Sequence, residues 1–445
     1  MASSNTPAVN EEYFKSYADL EVHALMIKDK PRTDAYRDFI QKNSDLFKGK
    51  VVLDVGAGSG ILSLFAAQAG AKKVYAIEAS SMASVCEEIV KVNKYENVIL
   101  VYQEMMEEVE LPEKVDVIIS EWMGFYLLHE SMLTSVIVAR DKWLKEDGIL
   151  LPSHAGMYAC PVNMTDYCNE KFNYWENVYG FDFSPFLMRS LSAQMQQPAV
   201  AHLNENQLLS DRELVARFDL KTMTMSEIED FEEQIKFTIK KNSDLHGFAV
   251  WFDVRFTPDL GTDQYGLTSR ELSKSLENGQ VDTNTTNSSS TTGMNHITLG
   301  TSPTDPETHW KQTVCFLPAA LQVNKSDNIF CRLRFSQDES NLRHYNISME
   351  IMEDFSSSSE SDLDEEEEED TESHPVPCDC GASRCTLIRA IMEKYDAEQN
   401  ELEMEAEFTD VSAEVQAAQA MNDSSCLDMD NSLKDDSTSA EKDES

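Results

Sequence analysis

The chain has 445 residues, with 37 basic against 80 acidic side chains and a formal net charge of −43. A field of that sign repels nucleic acid and favours basic partners. No apolar run reaches the length of a membrane span, and the length allows a large core in two domains. The N-terminus, MASSNTPAVNEE, has neither the basic nor the apolar region of a secretory leader, and the nine cysteines show no disulfide framework. An intracellular protein of a reducing compartment is therefore expected, in the nucleus, the cytoplasm or both; no compact Lys/Arg cluster marks nuclear import.

Residues 1–12 are expected to be a disordered N-terminus. From about Lys50 to Leu151, short β-branched runs alternate with helical segments, the pattern of a parallel sheet. The runs are Val51–Val55, Val74–Glu78, Val98–Tyr102 and Val115–Ser120; Ile61–Ala69, Met82–Asn93 and Glu130–Lys145 read as helices. Leu151-Pro152 closes a first domain, 13–151. A second, 152–355, is richer in strands: His246–Phe256, Thr308–Leu317 and Leu342–Ile351 suggest a β-barrel or sandwich. Within it, Ser273–Gly293 is rich in Ser, Thr and Asn and reads as a disordered insertion. The aromatic segment Tyr167–Phe186 is too apolar for a bare loop; it fits an arm packed on another subunit, or a helical excursion covering its own core.

After Phe355 the run SSSSESDLDEEEEED opens an acidic tail, 356–445, that carries 28 acids against 5 bases, about half of the net charge. Leu387–Met421 reads as an acidic helix within it. Cys378, Cys380 and Cys385 have CxCx4C spacing. They supply three of the four ligands that tetrahedral zinc needs, with His374 or Cys426 as the fourth; free thiols are the alternative. The tail also suits a substrate-mimicking, autoinhibitory role.

Two motifs carry chemistry. In VVLDVGAGSG, Gly56, Gly58 and Gly60 follow a strand and precede a helix, where glycine lets the backbone approach a ligand. Glu78 ends the next strand, 22 residues after Gly56, where a ribose diol needs an acceptor. The spacing is not GxGxxG. A nucleoside cofactor without a pyrophosphate fits better, and S-adenosylmethionine is the common one; a turn without a ligand is the alternative. The second motif, SEWMGFYLLHESML at 120–133, sets Glu121 and Glu130 at the ends of an almost uncharged loop. Two facing carboxylates suit a guanidinium, which is planar, permanently charged and has five donors in a fixed fork.

With these motifs stand YFKSY at 13–17, VHALMIKDKPRTDAYR at 22–37, NVYGFDFS at 177–184 and THW at 308–310. From about Tyr13 to Ile351 the chain resembles a type I, asymmetrically dimethylating protein arginine methyltransferase. The resemblance implies an α/β Rossmann-like class I methyltransferase domain, an all-β barrel-like domain with a helical dimerisation arm at about 165–190, and a homodimer. It implies S-adenosylmethionine as cofactor, S-adenosylhomocysteine as product, and arginines of basic proteins such as histones as substrates. It places His23 and Arg32 over the cofactor, with Arg32 on the methionine carboxylate. Gly56 lines the cofactor, Glu78 takes its ribose hydroxyls, and Glu107 reads its adenine. Tyr13, Phe14 and Tyr17 form a lid. Glu121 and Glu130 clamp the substrate guanidinium, His309 pairs with Asp29, and Met26, Met132, Tyr13 and Trp310 line the acceptor pocket. The His309–Asp29 pair could relay a proton or simply fix a helix. Met26 and Met132 could equally be ordinary core. Two other functions compete: a methyltransferase of the same fold acting on lysine or a small molecule, and a weakly catalytic scaffold that recruits basic partners through its tail.

Overall fold

The computed structural model describes residues 7–257 and 295–353. The Ser273–Gly293 insertion, the acidic tail with its helix, and the cysteine motif with His374 and Cys426 lie outside the described residues.

The chain begins with three helices, α1 (Pro7–Ser16), α2 (Leu20–Lys28) and α3 (Lys30–Lys42). Helix α1 spans residues 7–16, and near its end the Tyr13 hydroxyl reaches Glu130. Asp29 is the C-cap of α2 and the N-cap of α3, accepting the Arg32 amide at 3.1 Å. Helix α3 buries Ala35, Tyr36, Phe39 and Ile40, one face at helical spacing.

Next come β1 (Val51–Val55), α4 (Ile61–Gln68), β2 (Lys73–Ile77), α5 (Met82–Val92), β3 (Ile99–Tyr102), β4 (Val115–Ser120), α6 (Leu133–Trp143) and β5 (Leu144–Leu151). All five strands are parallel, in the order β3-β2-β1-β4-β5. Every residue of β1 is buried, as a strand covered on both faces requires, which is why these strands read as unbroken β-branched runs. The strand order reverses between β1 and β4, so a crevice opens at the carboxyl ends of the sheet. Helix α6 starts at Leu133 and not at Glu130, because Glu130 and Ser131 have φ of +73° and +54°. Apolar spacing continues back through the loop, but the backbone leaves the helix there.

The rest is antiparallel: β6 (His154–Val162), α7 (Thr165–Lys171), α8 (Ser184–Gln196), β7 (Ala199–Ala201), β8 (Glu213–Asp219), α9 (Ser226–Glu229), β9 (Asp230–Thr238), β10 (Ser243–Phe256), β11 (Ile297–Gly300), β12 (Gln312–Val323), β13 (Asn328–Gln337) and β14 (Tyr345–Met352). One sheet has the path β7-β12-β10-β6-β8 with β11 on β10, and a second has the order β14-β13-β9. The expected strand Thr308–Leu317 begins only at Gln312; His309 and Trp310 form a turn before it. The aromatic segment folds as α7, a 3-10 turn at Asn173–Glu176, and α8. Its inner part covers its own core, with Tyr167 stacked on Phe316 at 5.3 Å and Phe172 buried. Its outer part leaves Tyr179 95% and Phe181 69% exposed.

One contiguous core runs from α3 through the parallel sheet into β9, β10 and β13. Tyr36 joins the parts: its ring meets Phe256 edge-on at 4.7 Å and its hydroxyl donates to the Ser120 carbonyl at 2.8 Å.

Candidate active site

The carboxyl ends of the parallel strands form one wall of a cavity of about 620 Å³. After β1 the glycine turn has positive φ at Gly56, Gly58 and Gly60. A Cβ on Gly56 would lie 2.1 Å from Met132 Cε, and one on Gly58 would lie 3.1 Å from His23 Cε1. Nothing larger than glycine fits this cradle without displacing those side chains. Glu78 follows β2 and is buried; its carboxylate accepts the Gly58 amide and the Ser80 amide, each at 2.8 Å. Glu107, beyond β3, accepts the Ser135 hydroxyl at 2.6 Å.

The three N-terminal helices form the facing wall. His23 Nε2 donates to the Tyr17 carbonyl at 2.8 Å, which fixes the ring beside Gly58. Arg32 is buried with Glu121: its Nε and Nη2 donate to the same carboxylate oxygen at 2.9 and 2.5 Å, and Nη1 donates to the Met26 carbonyl at 3.1 Å. Burial opposes the Arg32 charge, but the Glu121 carboxylate outweighs it and raises the guanidinium pKa. The other Glu121 oxygen is buried without a hydrogen-bond partner. Such an atom in a cavity wall is suited to a donor brought by a ligand.

Glu130 has different support. Tyr13 and Tyr17 donate their hydroxyls to one of its oxygens at 3.2 and 2.5 Å. Burial raises its pKa, the nearby Glu121 adds to the rise, and the two tyrosines and Arg343 oppose it. Its left-handed backbone, and that of Ser131, cost roughly 1–2 kcal/mol each for non-glycine residues. The turn between β13 and β14 holds them there. The Glu130 amide donates to the Arg343 carbonyl at 2.7 Å, and the Ser131 hydroxyl donates to the Leu342 carbonyl at 2.5 Å.

At the third side, His309 and Trp310 reach the cavity from the turn before β12. Asp29 accepts the His309 amide at 2.9 Å and its Nδ1–H at 2.6 Å. Burial alone would raise Asp29, but these bonds and the Arg32 amide hold its carboxyl below the ordinary value. The Trp310 indole donates to the Met123 carbonyl at 2.9 Å.

The cavity thus gathers Tyr13, Tyr17, His23, Met26, Arg32 and Gly56 with Glu78, Glu107, Glu121, Glu130, Met132, His309 and Trp310. Asp29 stands behind His309 and outside the lining. The structure pairs Arg32 with Glu121, a contact the sequence did not suggest. Sequence reasoning also missed Arg343, Gln337 and Ser135. Ser135 lies in the first turn of α6, and Arg343 was read as one strand residue among others. Among the described residues no group of three His, Cys, Asp or Glu side chains is placed to hold a metal ion, and no helix is long and apolar enough to cross a membrane.

Residues 39–153 match a family model described as ribosomal protein L11 methyltransferase, and residues 153–274 and 286–355 match one described as the arginine methyltransferase oligomerization subdomain. A probable protein arginine N-methyltransferase 6 of Arabidopsis thaliana is 40% identical, over 76% of this chain and 78% of its own. The Trypanosoma brucei PRMT1 enzyme–prozyme heterotetrameric complex with AdoHcy aligns with a TM-score of 0.63 at 35% identity, covering 76% of this chain and 94% of that one. Arabidopsis thaliana protein arginine methyltransferase 10 aligns at 0.61 and 34% identity, over 76% and 94%. On this fold, this cavity and these relatives, the chain belongs to the protein arginine N-methyltransferase family.

Proposed function

We propose that this protein transfers methyl groups from S-adenosylmethionine to arginine side chains of basic proteins such as histones, with Glu121 and Glu130 as the two sides of a guanidinium clamp. The observation that carries this reading is the pair of carboxylates in one cavity wall, one with a buried oxygen that lacks a partner. The residues present fit the cofactor: a glycine cradle that any Cβ would fill, and Glu78 fixed by two backbone amides. Gly56, Glu78 and Glu107 would hold its nucleoside, with His23 and Arg32 of the lid over it. When bound, S-adenosylmethionine supplies an electrophilic methyl group on a sulfonium sulfur and is left as S-adenosylhomocysteine.

The protein's own part is positioning and electrostatics. The guanidinium is a poor nucleophile because its lone pairs are delocalised into a cation. Glu121 and Glu130 draw positive charge toward the nitrogens they hold, leaving more electron density on the nitrogen that attacks. Arg32 pairs with Glu121 and keeps it oriented. His309, its Nδ1–H committed to Asp29, has Nε2 as the acceptor for the departing proton. Met26 and Met132 in the cavity suit two methylations on one nitrogen, since thioethers yield to an added methyl. Exposed Tyr179 and Phe181 suit a homodimer built through the α7–α8 arm. We place this activity in the nucleus, the cytoplasm or both.

The test is transfer of labelled methyl to an Arg-rich peptide, with mass spectrometry separating symmetric from asymmetric products. Transfer is expected to vanish in Glu121→Gln and Glu130→Gln and to give asymmetric dimethylarginine in the parent. Full activity in either variant, or methylation of a Lys-only peptide instead, would defeat the reading.

A further inference from the structure

The turn between β13 and β14 does more than close a hairpin. Arg343 extends from it between two parts of the site. Its Nη1 donates to the Glu130 carbonyl at 3.0 Å, while its own carbonyl accepts the Glu130 amide at 2.7 Å. Its Nη2 donates to Asn10 Oδ1 of α1 at 2.9 Å. The guanidinium carbon lies 3.6 Å from the centroid of the Tyr13 ring and 5.5 Å from that of Phe14. Tyr13 is thereby held between the Arg343 cation and the Glu130 carboxylate, which accepts its hydroxyl. Gln337 braces the same loop by donating to the Ser131 hydroxyl at 3.1 Å.

We propose that Arg343 is a positioning residue that couples docking of the N-terminal lid to the orientation of Glu130. The inference rests on Glu130 being one side of the guanidinium clamp. A strained backbone persists only where its surroundings over-determine it. At Glu130 both backbone polar groups are bonded by Arg343, one to its side chain and one to its carbonyl, and the same fork holds the lid. Lid docking and carboxylate aim are then a single event. The role needs a planar fork: a lysine keeps the charge but offers one nitrogen in place of the two that separately bond Glu130 and Asn10. Arg343 also acts through its charge. The titratable and charged groups around Glu130 are Tyr13 of α1 and Tyr17 just beyond it, Glu121 with its partner Arg32, Arg343 with Glu107 near it, Tyr126, and the stacked His129–His344 pair beside the loop. Of these, Arg343 and the two tyrosines favour the ionised carboxylate.

The experiment uses the full chain and Arg343→Lys, Arg343→Gln, Asn10→Ala and Glu130→Gln, with kcat and KM measured against pH on an Arg-rich peptide. Both Arg343 variants are expected to lose about 10- to 100-fold in kcat, the size of a misplacement near 1 Å, with a smaller change in peptide KM. The acid limb of kcat/KM moves to higher pH in Arg343→Gln, where the cation is gone, and stays in place in Arg343→Lys. Asn10→Ala loosens the lid while keeping the cation, so the cofactor KM rises severalfold and kcat falls with it, with the acid limb unmoved. An unshifted acid limb in Arg343→Gln, or parent kcat in Arg343→Lys, overturns the proposal. Should Arg343→Gln fail to fold, Arg343→Lys and Asn10→Ala decide: parent kcat in the first, or parent cofactor KM in the second, is equally fatal. Glu130→Gln separates the two levels. If it is inactive while Arg343→Gln behaves as the parent, the clamp stands and the coupling falls; if it keeps full activity, the clamp itself falls.

Discussion

The two carboxylates of the loop after β4 differ in how they are held. Glu121 follows directly on β4, is buried against Arg32, and shares the rigidity of the parallel sheet. Glu130 sits in left-handed backbone, takes its hydrogen bonds from lid tyrosines, and depends on a turn from the antiparallel domain. One is a paired charge that follows a sheet strand; the other is a partly buried charge held by two N-terminal tyrosines and by the turn between β13 and β14. The difference teaches that one site can have a fixed side and a conditional side.

The isosteric pair Glu121→Gln and Glu130→Gln probes that contrast most strongly. Both are expected to reduce methyl transfer by roughly a thousandfold or more, the scale of lost transition-state electrostatics. Their stabilities should part. Glu121→Gln leaves Arg32 buried without its anion, and urea unfolding is expected to show a loss of about 3 kcal/mol. Glu130→Gln removes a carboxylate whose pKa is raised on folding, so its ionised form opposes the fold at neutral pH. Its melting temperature should equal or exceed the parent's. Equal losses in both variants would erase the distinction.

On the sheet side, Gly56→Ala forces an alanine into φ of +71° and drives the tip of Met132 aside. Calorimetry is expected to show cofactor affinity weakened about tenfold, since left-handed strain is of order 1–2 kcal/mol. The smallest effect is at Asp29. Its folded pKa lies below the ordinary value, so its contribution to stability is fully present above the unfolded carboxylate pKa and is lost as pH falls through the folded one. Thermal scans below about pH 4 should therefore show a shallower acid decline in Asp29→Asn than in the parent.

The sheet side was the more legible in sequence, for a local reason. The glycine turn, Glu78 and Glu121 each sit at the end of a strand, and strand ends show as the limits of β-branched runs. The helix boundary at Glu130 was not legible, because neither Gly nor Asn marks the left-handed residues and the apolar spacing runs past them. Arg343 was invisible for the same kind of reason: its partners Glu130 and Asn10 are 213 and 333 residues away, and no spacing rule spans such a distance. THW was found through family resemblance, while its turn was mistaken for a strand because Trp and the following residues suit one.

Asp29 caps two lid helices and is held by His309, 280 residues further along the chain. A ribosome releases the segment carrying Asp29 long before the one carrying His309. Through most of synthesis the sheet and its glycine cradle can fold while the helices above them lack their distant fastening. The first part of the enzyme to be made is among the last to be fully secured: a chain halted before residue 309 can pair Arg32 with Glu121 but leaves Asp29 without its histidine.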